Sequence, residues 1–252
     1  MSDFVLSRVE GHVGWLTLND PDRLNPVTFA RIAEIGAAAE AMSCRDDVHV
    51  VVVTGAGRAF CAGADLSGAD TFLTQDSPPA SGSMTEGAGL WALTAMRQPV
   101  IAMLNGATVG YGLELALQAD LRIAAASARL GHPAVKLGTI TDTGAATWLL
   151  PRLVGSAVAA EVLYSGALYE AVDALAMRLV NHVVPDDELH GFTARMAATM
   201  AANSAWALRT TKELLFQGLQ ESAHANVLKQ SIKVNEGDPT YDPSPHLVRF
   251  RK

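Results

Sequence analysis

Residues Val100 to Ala124 constrain this chain more than any other stretch. Val100-Ile101-Ala102-Met103-Leu104 is an unbroken apolar run of the length of a buried strand. Asn105-Gly106 is a turn pair. Gly110-Tyr111-Gly112 then opens an almost wholly apolar helix, predicted over Leu113 to Ala119. The first N–H groups of a helix have no partner within it and lie at the positive end of its dipole. A strand feeding a glycine-rich helix start is therefore suited to hold an anion or an oxyanion. One charge, Glu114, falls in the first turn of this greasy helix. A buried carboxylate beside oriented N–H groups is the place to look for chemistry. The dipole alone also favours an acid there, and on this stretch by itself a structural role outweighs a catalytic one.

The rest of the chain sets the frame for that stretch. Its 252 residues suit one large domain, or a core with a small appendix. With 49% hydrophobic and 18% charged residues, the chain has ample material for a core. The net charge of −7, without a basic cluster before the last few residues, argues against a nucleic-acid surface. It leaves room for a small anionic ligand held by a few local cations. Cys44 and Cys61 form no CxxC pair, so neither a disulfide framework nor a zinc site is expected. No signal-peptide pattern and no apolar run of membrane-spanning length is present, which fits a cytoplasmic protein with no membrane partner.

Taken in order, Phe4–Glu10 and Val13–Asn19 read as a hairpin around Gly11-His12. Thr28 caps a helix predicted over Phe29–Met42. Val48–Val53 is a β-branched run expected of a strand covered on both faces. Thr54 to Leu66 follows, rich in Gly and Ala around Asp65, which allows a backbone to approach a ligand closely; a plain tight loop fits it too. Ser67–Gly89 is polar and rich in Gly, Ser and Pro, and reads as a cover or an irregular helix over a site. Leu90–Met96 reads as a short amphipathic helix. Asp120–Ala124 returns as a strand, and Thr141-Asp142-Thr143-Gly144 is a second Gly/Thr-rich turn before a helix through Trp148. Helices are expected over Ser156–Tyr164, Tyr169–Arg178, Asp187–Ala202, Ser204–Gly218 and Leu219–Val234, with a short strand at Asn181–Val184. Strands alternate with helices early and helices dominate late, the pattern of an α/β core with a helical appendix.

The chain has no phosphate-binding P-loop, no HExxH and no GxSxG. Gly55-Ala56-Gly57 follows a strand, but Phe60 stands where a dinucleotide fingerprint needs its third glycine. The histidines lack metal-ligand spacing, and His132 reads as a packing or loop histidine rather than a base.

In sequence order, Asp20-Pro21-Asp22-Arg23-Leu24-Asn25, Arg58 to Leu66, Pro99 to Ala116, Leu137-Gly138-Thr139-Ile140, Leu150 to Gly155 and Asn181 to Pro185 resemble the conserved blocks of the crotonase family, the enoyl-CoA hydratases and isomerases. The resemblance covers about nine tenths of the chain by eye, and several blocks in the right order are far more specific than any one. It implies an α/β fold built as a spiral of strand-strand-helix units. The core with the active site would span 1–190, and 191–252 would be a helical region that builds homotrimers, often paired into hexamers. The implied substrate is an acyl-CoA thioester, with coenzyme A part of the substrate and no separate cofactor or metal. It assigns the backbone N–H groups of Ala64 and Tyr111 to the thioester oxygen as it becomes an enolate. CoA contacts are implied at Arg23 and Leu24 and along Ala62, Asp65, Leu66 and Gly110, although Arg23 reads equally as a solvated surface charge.

The departures bear on the reaction. The family's hydratases hold one water between two glutamates. Glu114 stands at the first position, and the second falls at Ala134, which transfers no proton. Asp142 instead matches a position where double-bond isomerases and aryl-CoA dehalogenases of the family carry a functional aspartate; a turn or cap role is the plainer alternative. Tyr111 replaces a frequent glycine, and its side chain would narrow the acyl pocket or reach solvent. Pocket walls are expected from Leu66–Leu93 and Trp148. The tail Glu236–Lys252 lacks the usual closing helix. Enolate chemistry shared by Glu114 and Asp142, with double-bond isomerisation or hydration as the outcome, is the expectation. The alternative is an acyl-CoA-binding protein of the same fold with little or no turnover.

Overall fold

The computed structural model describes residues 3–67, 90–141, 145–218, 220–238 and 242. The hairpin forms where alternation and the Gly11-His12 turn predict it: β1 (Val5–Glu10) pairs antiparallel with β2 (Val13–Leu18). α1 (Phe29–Ser43) starts at Thr28, whose hydroxyl accepts a hydrogen bond from the Arg31 N–H, and buries Ile32, Ile35, Ala39 and Met42. β3 (Val50–Gly55) is buried along its whole length, starting and ending two residues later than the apolar run. β4 (Ala59–Cys61), β5 (Val100–Leu104) and β6 (Ala107–Val109) follow, and α2 (Tyr111–Leu117) begins and ends two residues before its predicted limits.

β7 (Leu121–Ala125) and β8 (Arg129–Gly131) lead into a 3-10 turn at Pro133–Leu137. Then come α3 (Ala145–Trp148), α4 (Leu150–Val154), α5 (Ser156–Ser165), β9 (Leu168–Glu170), α6 (Ala171–Ala176), β10 (His182–Val184), α7 (Leu189–Ala201), α8 (Ala205–Gly218) and α9 (Ala223–Glu236). One sheet runs in the order β1-β2-β3-β5-β7-β10, parallel from β2 onward, and a second in the order β4-β6-β8-β9. Each of β3, β5 and β7 is followed directly by its neighbour in the second sheet, so the chain steps between the sheets at every turn of a spiral. This is the strand-strand-helix repeat that the sequence blocks imply.

Leu90–Met96 is a run of turns and not the expected helix. The Gln118 side chain explains it: its Oε1 accepts from the Leu93 N–H at 3.2 Å and its Nε2 donates to the Leu90 carbonyl at 2.7 Å. Backbone groups that a helix would pair are satisfied from α2 instead. The cover segment beyond Ser67, Asp142 with its two followers, and most of the tail lie outside the described residues.

Candidate active site

Two backbone segments meet at the C-terminal ends of β4 and β6, which are parallel neighbours. Ligands of open parallel sheets collect at this end of the strands. The first segment, Ala62 to Leu66, is held by a single parallel bridge between Val27 and Ala64. The Val27 N–H donates to the Gly63 carbonyl at 2.9 Å, and the Asp65 N–H to the Val27 carbonyl at 2.7 Å. Residues alternate in direction along an extended chain. The N–H of Ala64 therefore points away from Val27. Gly63 makes the bend possible, with φ at +100° and room for no Cβ, since one would stand 2.8 Å from the Val109 carbonyl oxygen.

The second segment is the start of α2. Its first residue is Tyr111, whose side chain is buried and does not reach solvent. Gly112 lets the helix press onto β4, because a Cβ there would stand 2.1 Å from the Cys61 carbonyl oxygen. Ala64, Tyr111, Ala62, Gly110 and Leu66 line one cavity of about 130 Å³. Its remaining wall includes Val109, His132, Ala134, Leu137 and Ile140. The mouth is apolar, with Leu66, Leu137 and Ile140 all exposed. Trp148 is not at this wall. It meets Trp91 edge-on at 5.8 Å and carries the Arg152 guanidinium over its ring.

Two asparagines, Asn25 and Asn105, fix these loops. Asn25, wholly buried, donates through Nδ2 to the carbonyls of Ala56, Ala59 and Phe60, and its Oδ1 accepts from the Asp20 N–H at 2.8 Å. Asn105, just after β5, likewise donates through Nδ2 to the carbonyls of Gly55, Gly57 and Ala59. The Asn25 clamp holds Leu24 and Asn25 themselves at left-handed φ values of +67° and +56°, and the Leu24 carbonyl accepts from the Ala62 N–H at 3.0 Å.

Arg23 is half exposed and pairs with Asp65, its Nη2 lying 2.8 and 2.7 Å from the two carboxylate oxygens. The Ser67 hydroxyl and amide complete the cluster, and they with Arg23 hold the Asp65 carboxyl down to about 2. This pair stands on the chain beside the cavity without lining it.

Glu114 is fully buried. Its Oε1 accepts from the Ala146 N–H at 3.4 Å, so the start of α3 packs directly on the carboxylate. Asp142, four positions earlier in the chain, is outside the described residues. His132 lines the cavity with its Nε2 3.7 Å from Glu114 Oε1, and burial holds its imidazole below the ordinary histidine range. The structure buries His132 in the turn after β8, as the packing-or-loop reading has it, and places it at the cavity wall.

The family model described as enoyl-CoA hydratase/isomerase matches residues 8–240. The chain belongs to the enoyl-CoA hydratase/isomerase family. The protein named "Probable enoyl-CoA hydratase EchA14" of Mycobacterium tuberculosis is 43% identical over 184 residues, covering 73% of this chain and 71% of its own. Enoyl-CoA hydratase subunit I of Geobacillus kaustophilus is 33% identical, with a TM-score of 0.87 over 100% of this chain and 98% of that one. A monofunctional enoyl-CoA isomerase of Mycobacterium smegmatis is 32% identical, with a TM-score of 0.75 over 90% of this chain and 99% of that one. The enoyl-CoA hydratase/isomerase fold is thus shared with proteins named for each of the two reactions. No described helix is long and apolar enough to cross a membrane.

Proposed function

We propose that this enzyme moves a proton along the acyl group of an enoyl-CoA thioester and shifts its double bond. The observation that carries this reading is Ala134, buried in the cavity wall where a hydratase would need its second glutamate. The N–H groups of Ala64 and Tyr111 receive the thioester oxygen. Charge grows on that oxygen as the α-carbon loses its proton, and one preorganised donor of this kind is worth roughly 3–4 kcal/mol of barrier. For a 3-enoyl thioester, the C2–H bond breaks and its electron pair enters the dienolate. The proton, held by the Glu114 carboxylate, returns at C4, and the double bond comes to rest between C2 and C3. No water is consumed. Asp142 shares the acid and base work in this reading, on the strength of its place in the family pattern. Ala62, Leu66 and Gly110 meet the thioester arm, with Arg23, Leu24 and Asp65 beside it.

The protein is tested with a 3-enoyl-CoA and a 2-enoyl-CoA in deuterated water, followed by product mass. Conversion of the first without gain of water is expected, with Glu114→Gln slowing it about 10²- to 10⁴-fold. Faster addition of water to the 2-enoyl-CoA would overturn the isomerase reading. A cytoplasmic homotrimer or hexamer completes the proposal. The unpaired, exposed Cys44 suits a reducing compartment, and Val227, Leu228, Ile232 and Val234 leave an exposed apolar face on α9 for a second copy. Light scattering in solution gives the copy number.

A further inference from the structure

We propose that Asn25 is a positioning residue for the chemistry, its buried side-chain amide setting where the Ala64 N–H meets the thioester oxygen. This deepens the enolate reading above and rests on it. Asn25 lies on residues 24–27, which run beside residues 62–65. Three backbone bonds join the two strips. The Ala62 N–H donates to the Leu24 carbonyl at 3.0 Å, the Val27 N–H to the Gly63 carbonyl at 2.9 Å and the Asp65 N–H to the Val27 carbonyl at 2.7 Å. Val27 and Ala64 face each other in parallel register. A shift of the first strip is therefore passed to the Ala64 N–H. Asn25 does not border the cavity and acts through this strip.

Leu24, Asn25 and Pro26 belong to no helix or strand, so the amide supplies what regular structure would. Its Nδ2 donates to the carbonyls of Ala56, Ala59 and Phe60 at 3.0, 2.8 and 3.2 Å, along the chain that leads to Ala62. Its Oδ1 accepts from the Asp20 N–H at 2.8 Å, and the Asn25 N–H donates to the Asp20 carbonyl at 2.9 Å. One planar group thus ties the turn before the strip to the strand before the donor. Neither a carboxylate nor a hydroxyl offers the two donors and one acceptor that this takes. Gly55 clears the space: a Cβ there would stand 2.6 Å from Nδ2 and 2.2 and 2.3 Å from the carbonyl oxygens of Ala59 and Phe60. The Asn25 backbone sits at a left-handed φ of +56°, which asparagine tolerates better than most residues.

Position matters because an oxyanion donor works only within about 3 Å of the oxygen on which charge develops. A misplacement of about 1 Å costs about a hundredfold in rate. Without the amide, the strip keeps only its backbone contacts, and the donor loses its fixed distance from the oxygen. An asparagine that merely held the fold together would lower stability and leave the donor in place in every molecule that stays folded.

The test is α-proton exchange on butyryl-CoA in deuterated water, together with the infrared carbonyl stretch of the bound thioester, for wild type and Asn25→Gly. Glycine keeps the left-handed backbone and removes only the amide. The exchange rate per folded molecule is expected to fall about tenfold to a hundredfold, with KM changed less. A hydrogen-bonded thioester carbonyl absorbs at lower frequency than a free one, and that lowering should shrink in Asn25→Gly. A folded Asn25→Gly with the wild-type rate and the wild-type carbonyl frequency overturns the positioning role and leaves the enolate reading standing. Wild type that exchanges nothing and leaves the carbonyl frequency unshifted overturns both. Should Asn25→Gly fail to fold, the Asn25 side-chain amide is followed by NMR in wild type as butyryl-CoA is added. A shifted amide signal supports its coupling to the site, and an unmoved one rejects it.

Discussion

The two ends of the parallel strands carry polar groups of opposite character. At the N-terminal end, charges are met by short, fixed partners. Lys212 on α8 places Nζ 2.9 Å from Asp120 Oδ2 and 2.9 Å from the Gln98 carbonyl, while Asp120 also accepts from the Val100 N–H at 2.6 Å. Arg209 bonds to Asp46 and to the Val48 carbonyl, and buried Arg122 donates to the carbonyls of Ala119 and Leu179. At the C-terminal end, the cavity is lined by Ala64, Tyr111 and His132, whose imidazole lies 3.7 Å from the buried Glu114 carboxylate. The cavity at the N-terminal end is much larger, about 1230 Å³ against about 130 Å³. Size alone would choose the N-terminal end, whereas the proposed function uses the other end, where backbone groups at the cavity would find their partner in a ligand.

The sharpest way to break this contrast is Lys212→Met. Lys212 is 7% exposed, and burial holds its amine below the ordinary lysine range despite the pull of Asp120. Removing it strands a carboxylate, a loss of about 3–5 kcal/mol. Urea unfolding should show that loss, and the Asp120→Asn/Lys212→Met double variant should recover part of it. Turnover per folded molecule should not change. A variant of unchanged stability and reduced turnover would mean that the N-terminal end belongs to the site.

At the other end, Gly63→Ala puts a Cβ against the Val109 carbonyl in a backbone conformation that alanine avoids. The expected cost is about 1–3 kcal/mol. The informative readout is kinetic. Shifting the Ala64 N–H by an ångström should slow proton exchange about a hundredfold, with KM less affected. A stability loss with normal kinetics would separate the bend from the donor it positions.

What the sequence made legible follows from range. β5, the Asn105-Gly106 turn and the helix start at Tyr111 are encoded by residues next to one another, so periodicity and glycine placement locate them within two residues. The Thr28 cap is equally local. The parts that stayed hidden depend on contacts across the chain. Leu90–Met96 carries a helical pattern, but Gln118, far along the chain, takes its backbone groups. Asn25 looks like one more polar loop residue until it is seen holding carbonyls 31 to 35 positions away. Lys212 sits on an amphipathic helix and finds Gln98 across 114 positions. His132 stands beside Glu114 without a motif, because the two lie on different elements. Ala134 was legible as a missing carboxylate only through the family pattern, since no propensity marks an absence.

Asp65 is the smallest test and sits between the two kinds of group, because it borders the site yet is paired like a charge at the far end. Its carboxyl is held down to about 2, chiefly by the Ser67 hydroxyl and amide and then by Arg23. A folded-state pKa below the unfolded value means that the stabilisation is complete above roughly pH 4. It drains away as the pH falls toward the folded value. Asp65→Asn should therefore flatten the acid limb of stability between those limits. The change should stay below about 1 kcal/mol at neutral pH, since Arg23 is half exposed and screened. Acid unfolding of the two proteins measures it. If the pair is only a clip, KM for the acyl-CoA is unchanged. If Asp65 instead holds Arg23 in place for the thioester arm, KM rises while acid stability barely moves, and the rim of the cavity then belongs with its chemistry.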